Sequence, residues 1–250
     1  MSGHSKWSTI KHKKAALDAK KGQVYTKLIK EIAACAREGG GNTETNSKLR
    51  MLINKAKEQN MPADNVDRAI KRGTGELPGI IFETVTYEAY GPSGVAMLIE
   101  TLTDNKNRCS AEIKNILSKK GGNMAGAGSV GWMFSKKGYI MVDKAQAKED
   151  DLIPLLDSGA EDIKSDDPNK YEIITNPANL EKVKSAMQAS NIPFSLAEVT
   201  MLPSSTIKVA GESAKQLLAL IEALEEHDDV QNVYANFDIP DEVLEQLENS

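Results

Sequence analysis

The side chains best suited to chemistry in this sequence are lysines concentrated in its first thirty residues. The segment MSGHSKWSTIKHKKAALDAKKGQVYTKLIK contains eight lysines and one acid, Asp18. Ammonium groups spaced along a chain neutralise phosphates and release counterions, which gives affinity for a polyanion without readout of its sequence. A lysine-rich run is often only a solvated surface. We predict that this one binds nucleic acid, because it has almost no acids and no apolar face of its own.

Two sets of residues are predicted to contact nucleic acid. The primary set comprises Lys6, Trp7, Lys11, His12, Lys13, Lys14, Lys20, Lys21, Lys27 and Lys30. Within it, Trp7 either stacks on a base or a ribose or anchors the segment against neighbouring helices, and the sequence leaves both interpretations open. The secondary set lies on later predicted helices, where ordinary solubilising residues are the alternative interpretation. It comprises Arg50, Lys55, Lys57, Arg68, Lys71 and Arg72.

Charge is sorted along the chain. The 250 residues contain 31 Lys and Arg and 36 Asp and Glu, for a net charge of -5. Residues 1–73 hold 16 of the basic residues and 7 of the acids, a net charge of +9, which leaves -14 for the remainder. This pattern is typical of a polyanion-binding head on an acidic body.

Residues for catalysis are sparse. The histidines are His4, His12 and His227, and no carboxylate pair or Ser/His/Asp set has a usable spacing. Cys109 is a candidate nucleophile for which the sequence identifies no base, and together with the distant Cys35 it supports neither a disulfide framework nor a zinc site. The glycine-rich stretch 121–131 follows a predicted helix and lacks Gly-Lys-Ser/Thr, so we interpret it as a connector rather than a phosphate loop. We expect no enzyme, no cofactor and no metal.

Hydropathy also excludes a membrane protein. No apolar run approaches the roughly 20 residues needed to span a bilayer. The N-terminus has the charge of a signal peptide but no apolar segment after it. We therefore expect a cytoplasmic protein that contacts no membrane.

Helical periodicity organises the first third of the chain. After a basic arm over Ser5–Lys21, apolar residues at Val24, Leu28, Ile32 and Ala36 predict a helix that stops at Gly39-Gly40-Gly41. A second helix is predicted around residues 49–56, and a third from about Pro62 to Gly73. Residues 1–75 are thus predicted to form a basic arm and a three-helix domain, followed by an exposed linker at Gly73–Gly79.

The rest of the chain predicts two α+β domains. Strands at 80–89 and 95–103, a helix at 107–120 and a third strand ending near 132–134 form an incomplete unit. Residues 138–201 read as βαββαβ, a ferredoxin-like domain that is complete in itself, with helices predicted at 146–157 and 178–189. The elements after it, including a strand at 206–209, cannot bury a core alone. We predict a discontinuous domain, 80–134 plus 204–240, into which 138–201 is inserted.

Four long motifs carry a family resemblance. GHSKWSTIKHKKAALDAKKGQVYTKLIKEI, KAKEQNMPADNVDRAIKRGTGE, YEAYGPSGVAMLIETLTDNKNR and GSVGWMF closely resemble the YebC family. Members of that family are commonly described as probable transcriptional regulatory proteins, and a mitochondrial branch is described as a translational activator. The resemblance implies a helical domain followed by two α+β domains, and it implies nucleic-acid binding.

Two functional hypotheses remain. The first is a DNA-binding transcriptional regulator. The second is a translation factor that binds ribosomal RNA, has the ribosome as its partner and assists stalled or difficult synthesis. Phosphate-binding lysines serve either polymer, and the sequence shows neither an aromatic RNA-binding signature nor a recognition helix. We favour the regulator because of the resemblance.

Overall fold

A computed structural model describes residues 21–239 and confirms an α+β protein with a helical region ahead of two antiparallel sheets. The described residues divide into two compact units. One contains 131–207 and 236–238, and the other contains 21–130, 208–235 and 239. The finer division into three domains at the residues given above stays a prediction.

Three helices form the first part of the larger unit, close to where periodicity places them. They are α1 (Lys21–Gly39), α2 (Ser47–Glu58) and α3 (Ala63–Thr74). The Asn46 side chain caps α2 by accepting a hydrogen bond from the Leu49 amide at 3.0 Å. Gly75, with φ of 85°, ends α3 in the left-handed conformation. An apolar cluster drawn from these helices, including Leu28, Ile32, Leu49, Ala56, Val66 and Ala69, holds them together.

The crossing of α1 and α3 depends on Gly73. A Cβ at this position would lie 2.3 Å from the Ala33 carbonyl oxygen and 2.9 Å from the Ala36 methyl. Only a residue without a side chain lets the two backbones approach so closely. The sequence analysis placed Gly73 at the start of a linker, but it lies inside α3.

The larger unit also contains a four-stranded antiparallel sheet. Its strands are β1 (Glu83–Tyr90), β2 (Ala96–Thr103), β3 (Asn123–Met124) and β9 (Val230–Ala235), in the order β3-β1-β2-β9. Helices α4 (Lys106–Lys119) and α7 (Gly211–Glu225) each bury apolar side chains, such as Ile113 and Leu220. The β9 strand, which follows the inserted unit in sequence, pairs with β2 from Met97↔Ala235 to Thr101↔Val230.

The smaller unit has the ferredoxin-like arrangement. Its elements are β4 (Phe134–Asp143), α5 (Glu149–Leu152), β5 (Ala160–Lys164), β6 (Lys170–Thr175), α6 (Leu180–Ala189) and β7 (Leu196–Pro203). The antiparallel strand order β5-β6-β4-β7 is that of a split βαβ fold. Its core includes Ile140, Val142, Leu152, Ile173, Val183 and Met187. Two short strands, β8 (Ile207–Lys208) and β10 (Phe237–Asp238), form a separate ladder.

Several element boundaries differ from the predictions. Residues 131–133 form a 3-10 turn rather than a strand end, and Phe134 opens β4 of the smaller unit. Ile80 and Ile81 precede β1 and are exposed. The predicted helix at 146–157 shortens to α5 and a 3-10 turn at Ile153–Leu155, where Pro154 lacks the amide that an α-helix needs. The predicted strand at 206–209 reduces to β8.

Candidate nucleic-acid interface

Most of the primary set falls where the structure gives no description. Lys6, Trp7, Lys11, His12, Lys13, Lys14 and Lys20 lie outside residues 21–239. Lys21 is described only as the first residue of α1. Their assignment to nucleic acid therefore stays a prediction, and the described part of the candidate interface consists of side chains on α1, α2 and α3.

Lys27 and Lys30 contact the protein itself. The Lys27 Nζ donates to the Glu225 carbonyl oxygen at 2.6 Å. The Lys30 Nζ donates to the Asp228 carbonyl oxygen at 3.0 Å and forms a 2.6 Å ion pair with Asp229. The sequence analysis assigned both lysines to nucleic acid, whereas the structure places them against the end of α7 and the turn that follows it.

Asp229 is the centre of a buried polar cluster. Its carboxylate accepts hydrogen bonds from the Thr103 hydroxyl at 2.8 Å and from Arg108 at 3.0 Å, in addition to Lys30. Burial raises the pKa of this carboxyl, but the hydrogen bonds from Lys30, Thr103 and Arg108 outweigh it, so the pKa lies below its ordinary value. The carboxylate is therefore charged at neutral pH. Sequence analysis missed this residue, because nothing in the run His227–Val230 distinguishes a buried acid from a solvated one.

The secondary set is accessible in its entirety. Each of its members is exposed on or beside the surface of α2 and α3: Arg50, Lys55, Lys57, Arg68, Lys71 and Arg72. Lys55 and Lys57 lie in the last turn of α2, and Lys71 and Arg72 in the last turn of α3. Cations at these positions are favoured by the negative end of the helix dipole. Helix geometry thus accounts for their placement, and their exposure leaves them available to a partner.

Two of the three arginines of this set, Arg50 and Arg68, bond to neutral oxygens. Arg50 donates to the Thr43 carbonyl oxygen at 3.1 Å. Arg68 donates to the Asp64 carbonyl oxygen at 3.2 Å and to the Asn65 side-chain oxygen at 2.6 Å. These contacts orient the guanidinium groups without cancelling their charge. Such groups suit phosphate, which accepts two parallel hydrogen bonds from a guanidinium.

The sequence analysis left three exposed side chains of the helical region out of its sets. Arg37 lies in the last turn of α1, Lys48 lies in the first turn of α2, and Met51 is 64% exposed one turn further along that helix. An exposed methionine between cations makes flexible apolar contact possible beside charge contact. Helical spacing from Leu49 and Leu52, which are buried and half-buried, was the available signal that Met51 points outward.

The catalytic candidates have unfavourable settings. Burial raises the pKa of the Cys109 thiol, and it raises that of Cys35 as well, so both favour the protonated form that is a poor nucleophile. The His227 ring is held on both sides, with Nδ1 accepting from the Asp229 amide at 3.1 Å and Nε2 lying 2.9 Å from the Glu112 carboxylate. This geometry indicates that the proton sits on Nε2.

Two kinds of site are absent from residues 21–239. No group of three or more metal-ligating side chains occurs among them. None of the helices they form is both long enough and apolar enough to cross a bilayer.

Comparison with known proteins covers nearly the whole chain. Residues 5–76 match the family model for the TACO1/YebC N-terminal domain, and residues 82–237 match the model for the second and third domains. A protein of Natranaerobius thermophilus, named a probable transcriptional regulatory protein, is 54% identical across 98% of this chain and 99% of its own length. A protein of Syntrophobacter fumaroxidans with the same name is 52% identical, across 99% and 100%. The crystal structure of a conserved hypothetical protein from Aquifex aeolicus is 42% identical, with a TM-score of 0.78 over 92% of this chain and 95% of its own.

Proposed function

The chain belongs to the TACO1/YebC family, and from that premise we propose that it is a nucleic-acid-binding regulator of gene expression that acts on DNA. The observation that carries the proposal is the exposure of all six cations of the secondary set on one helical region. Both relatives are named probable transcriptional regulatory proteins, which supports the inference that the exposed cations serve gene regulation. A transcriptional regulator of this kind binds DNA.

The chemistry of binding is phosphate neutralisation. Lys55, Lys57, Lys71 and Arg72 lie at the C-terminal ends of two helices, and each contact they make with a phosphate releases a condensed counterion. Arginines held by neutral oxygens add bidentate contacts. Backbone contacts of this kind position a protein on its target but do not read sequence. Affinity is therefore expected to fall steeply with salt.

A ribosomal target is the second candidate. The chain beyond residue 73 carries a net charge of -14, which repels a long naked duplex lying along it. A ribosomal cleft surrounds a basic tip with RNA and offers basic proteins to an acidic body. Under this alternative the same cations bind ribosomal RNA, and the protein acts as a translation factor.

Binding rather than catalysis is part of the proposal. The two thiols favour their protonated forms, and both ring nitrogens of His227 are engaged within the protein. A general base must reach the proton that it abstracts, and His227 is committed to other contacts.

A binding titration tests the proposal. Fluorescence anisotropy would compare duplex DNA and folded RNA on the full chain and on a quadruple variant, Lys55→Glu, Lys57→Glu, Lys71→Glu and Arg72→Glu. We expect at least a tenfold loss of affinity and a shallower salt dependence. The matched control reverses four exposed lysines outside α2 and α3, so that the net charge changes equally, and should change affinity less than threefold: Lys114→Glu, Lys119→Glu, Lys120→Glu and Lys182→Glu. Equal losses in both variants would show that only net charge matters and would contradict an interface on α2 and α3.

A further inference from the structure

Within the larger unit, α1 of the helical region makes polar contacts with the end of α7 and the turn that follows it. Its apolar cluster draws on α1, α2 and α3 themselves. The segment between α3 and β1 is exposed from Gly75 to Ile81, and within it the Leu77 amide donates to the Lys71 carbonyl oxygen of α3 at 3.1 Å. Within the described part of the chain, three side chains of α1 donate hydrogen bonds to residues 225–229, and they are spaced as neighbours along one helix face: Gln23, Lys27 and Lys30.

Each of the three donates to the end of α7 or to the turn that follows. The Gln23 Nε2 donates to the Glu226 carbonyl oxygen at 2.9 Å, and Lys27 to that of Glu225 at 2.6 Å. Lys30 reaches the Asp228 carbonyl oxygen and the Asp229 carboxylate. The last carbonyls of a helix have no partner within the helix and carry its negative partial charge, so ammonium groups are favoured there.

The receiving side is rigidly built. The Asp229 carbonyl oxygen accepts from the Leu102 amide of β2 at 2.8 Å, and its carboxylate is fixed by Thr103 and Arg108. The Asp229 side chain is 4% exposed and that of Lys30 is 13% exposed. The Lys30 ammonium also lies 5.8 Å from the ring centroid of Phe82. A buried anion in a fixed position can hold α1 only while a cation from α1 faces it.

We propose that these contacts form an autoinhibitory latch, in which the end of α7 and Asp229 compete with a nucleic-acid backbone for Lys27 and Lys30. In the closed state both lysines are occupied internally, and the helical region is held against the sheet. A phosphate backbone offers the same lysines several anionic oxygens, so binding there frees α1 and lets the helical region move on the exposed segment 75–81. The competition rests on the proposed nucleic-acid function, whereas the latch itself rests on the geometry alone.

Spin-label distances test the latch without nucleic acid. Labels on Asn54→Cys in α2 and Asn115→Cys in α4, both exposed positions, report the separation of the two parts, and the native Cys35 and Cys109 are buried. We expect a narrow distance distribution that at least doubles in width when Lys27→Met and Lys30→Met are combined. Lys119→Met with Lys120→Met, at the end of α4 and the position after it, removes the same charge and should leave the distribution narrow. A narrow distribution in the latch variant would overturn the latch.

A second, less disruptive variant tests the latch in case the double lysine variant does not fold. Gln23→Leu with Lys27→Met keeps the Lys30–Asp229 pair and removes two of the contacts, so the buried carboxylate stays compensated. We expect an intermediate width with an unchanged circular dichroism spectrum. If this variant gives the parent distribution while the double lysine variant is unfolded, the contacts are structural supports and the latch is wrong.

The competition is tested with a duplex oligonucleotide. Its addition to the labelled parent should broaden the distribution, and Asp229→Asn, which removes the internal anion, should tighten binding about three- to tenfold. Asp104→Asn is the matched control, because Asp104 accepts from Arg108 at 2.7 Å and lies in the same network, while the contacts of Lys30 involve Asp228 and Asp229. Binding with an unchanged narrow distribution would overturn the competition and leave the proposed function intact. If the labelled parent does not bind the oligonucleotide at all, that result contradicts the proposed function instead.

Discussion

The helical region and the ferredoxin-like unit use their cations differently. On α2 and α3, Arg50 and Arg68 donate to backbone and amide oxygens, which leaves their charge uncancelled. In the ferredoxin-like unit, Lys137 bonds to the Glu161 carboxylate at 2.6 Å and Lys184 to Glu181 at 2.8 Å. Exposed ion pairs of this kind add little stability, but they neutralise charge locally. Under the proposed function, accessible positive charge rather than the number of basic residues distinguishes the surface that binds nucleic acid.

The largest expected effect concerns the independence of the two regions. Gly73→Ala would force a Cβ to within 2.3 Å of the Ala33 carbonyl oxygen, so we expect the helical region to lose about 3 kcal/mol or more of stability. Hydrogen exchange should show lost protection in α1 and α3 and unchanged protection in β4 to β7. Gly22→Ala is the control, since nothing lies within 4 Å of a Cβ there. Loss of hydrogen-exchange protection in both regions would show that they unfold together and would contradict their independence.

The next effect concerns charge in the two regions. Reversal of Lys55 and Lys57 to Glu removes exposed, accessible cations, and we expect about a tenfold loss of nucleic-acid affinity, which corresponds to about 1.4 kcal/mol. Reversal of Lys137 and Lys184 in the ferredoxin-like unit changes the net charge equally but removes cations that already face carboxylates. That variant should bind within about twofold of the parent. Similar losses in the two variants, measured by anisotropy at the same salt, would remove the distinction between the regions.

Because the buried Asp229 carboxylate pairs with Lys30 of α1, we expect the stability of the contact between the helical region and the end of α7 to depend on pH. Its carboxyl has a pKa below the ordinary value in the folded state, so its stabilising contribution is present above that ordinary value and is lost as pH falls through the lower folded pKa. The groups facing it are Lys30 of α1, Thr103 of β2 and Arg108 of α4.

Urea unfolding of the parent and of Asp229→Asn therefore tests this residue. We expect the parent to be more stable by roughly 1–3 kcal/mol at pH 7. The difference should shrink below about pH 4 as the carboxyl becomes protonated. A difference that stays constant from pH 7 to pH 3 would show that the carboxylate charge contributes nothing.

The smallest effect is kinetic and concerns the segment that connects the helical region to β1 of the larger unit. Residues 75–81 are exposed and rich in glycine and proline turns, so limited proteolysis should cut there first. Mass spectrometry of the early fragments identifies the site. First cleavage within 138–201 would contradict the inserted arrangement of the ferredoxin-like unit.

Local pattern was sufficient to predict much of the fold. Apolar spacing on α1, α2 and α3 requires burial of one face of each helix, and the alternation of elements from Tyr139 to Thr200 is enough to specify a split βαβ order. The failures occur where a local signal competes with tertiary context. The 3-10 turn at Gly131–Met133 and the exposed Ile80 are apolar sequences that resemble strands but lie outside the ladders.

The candidate site was less predictable for the same reason. Sequence composition places Lys27 and Lys30 with the other lysines of the N-terminal segment, and local spacing carries no information on a partner 199 residues away. The exposed cations of α2 and α3 were predictable, because their exposure follows from helical periodicity. The number of basic residues therefore predicts that a basic surface exists. Only the folded structure distinguishes the cations that are exposed from those that bond to other parts of the protein.

Crosslinking in cells tests the central claim most directly. Nucleic acid bound to the full chain would be crosslinked, sequenced and assigned to the peptides that carry it. The account predicts discrete promoter segments, crosslinked through peptides containing Lys55 and Lys57 or Lys71 and Arg72. Recovery of one contiguous ribosomal RNA region without promoter enrichment would contradict a DNA-binding regulator and favour the translation factor.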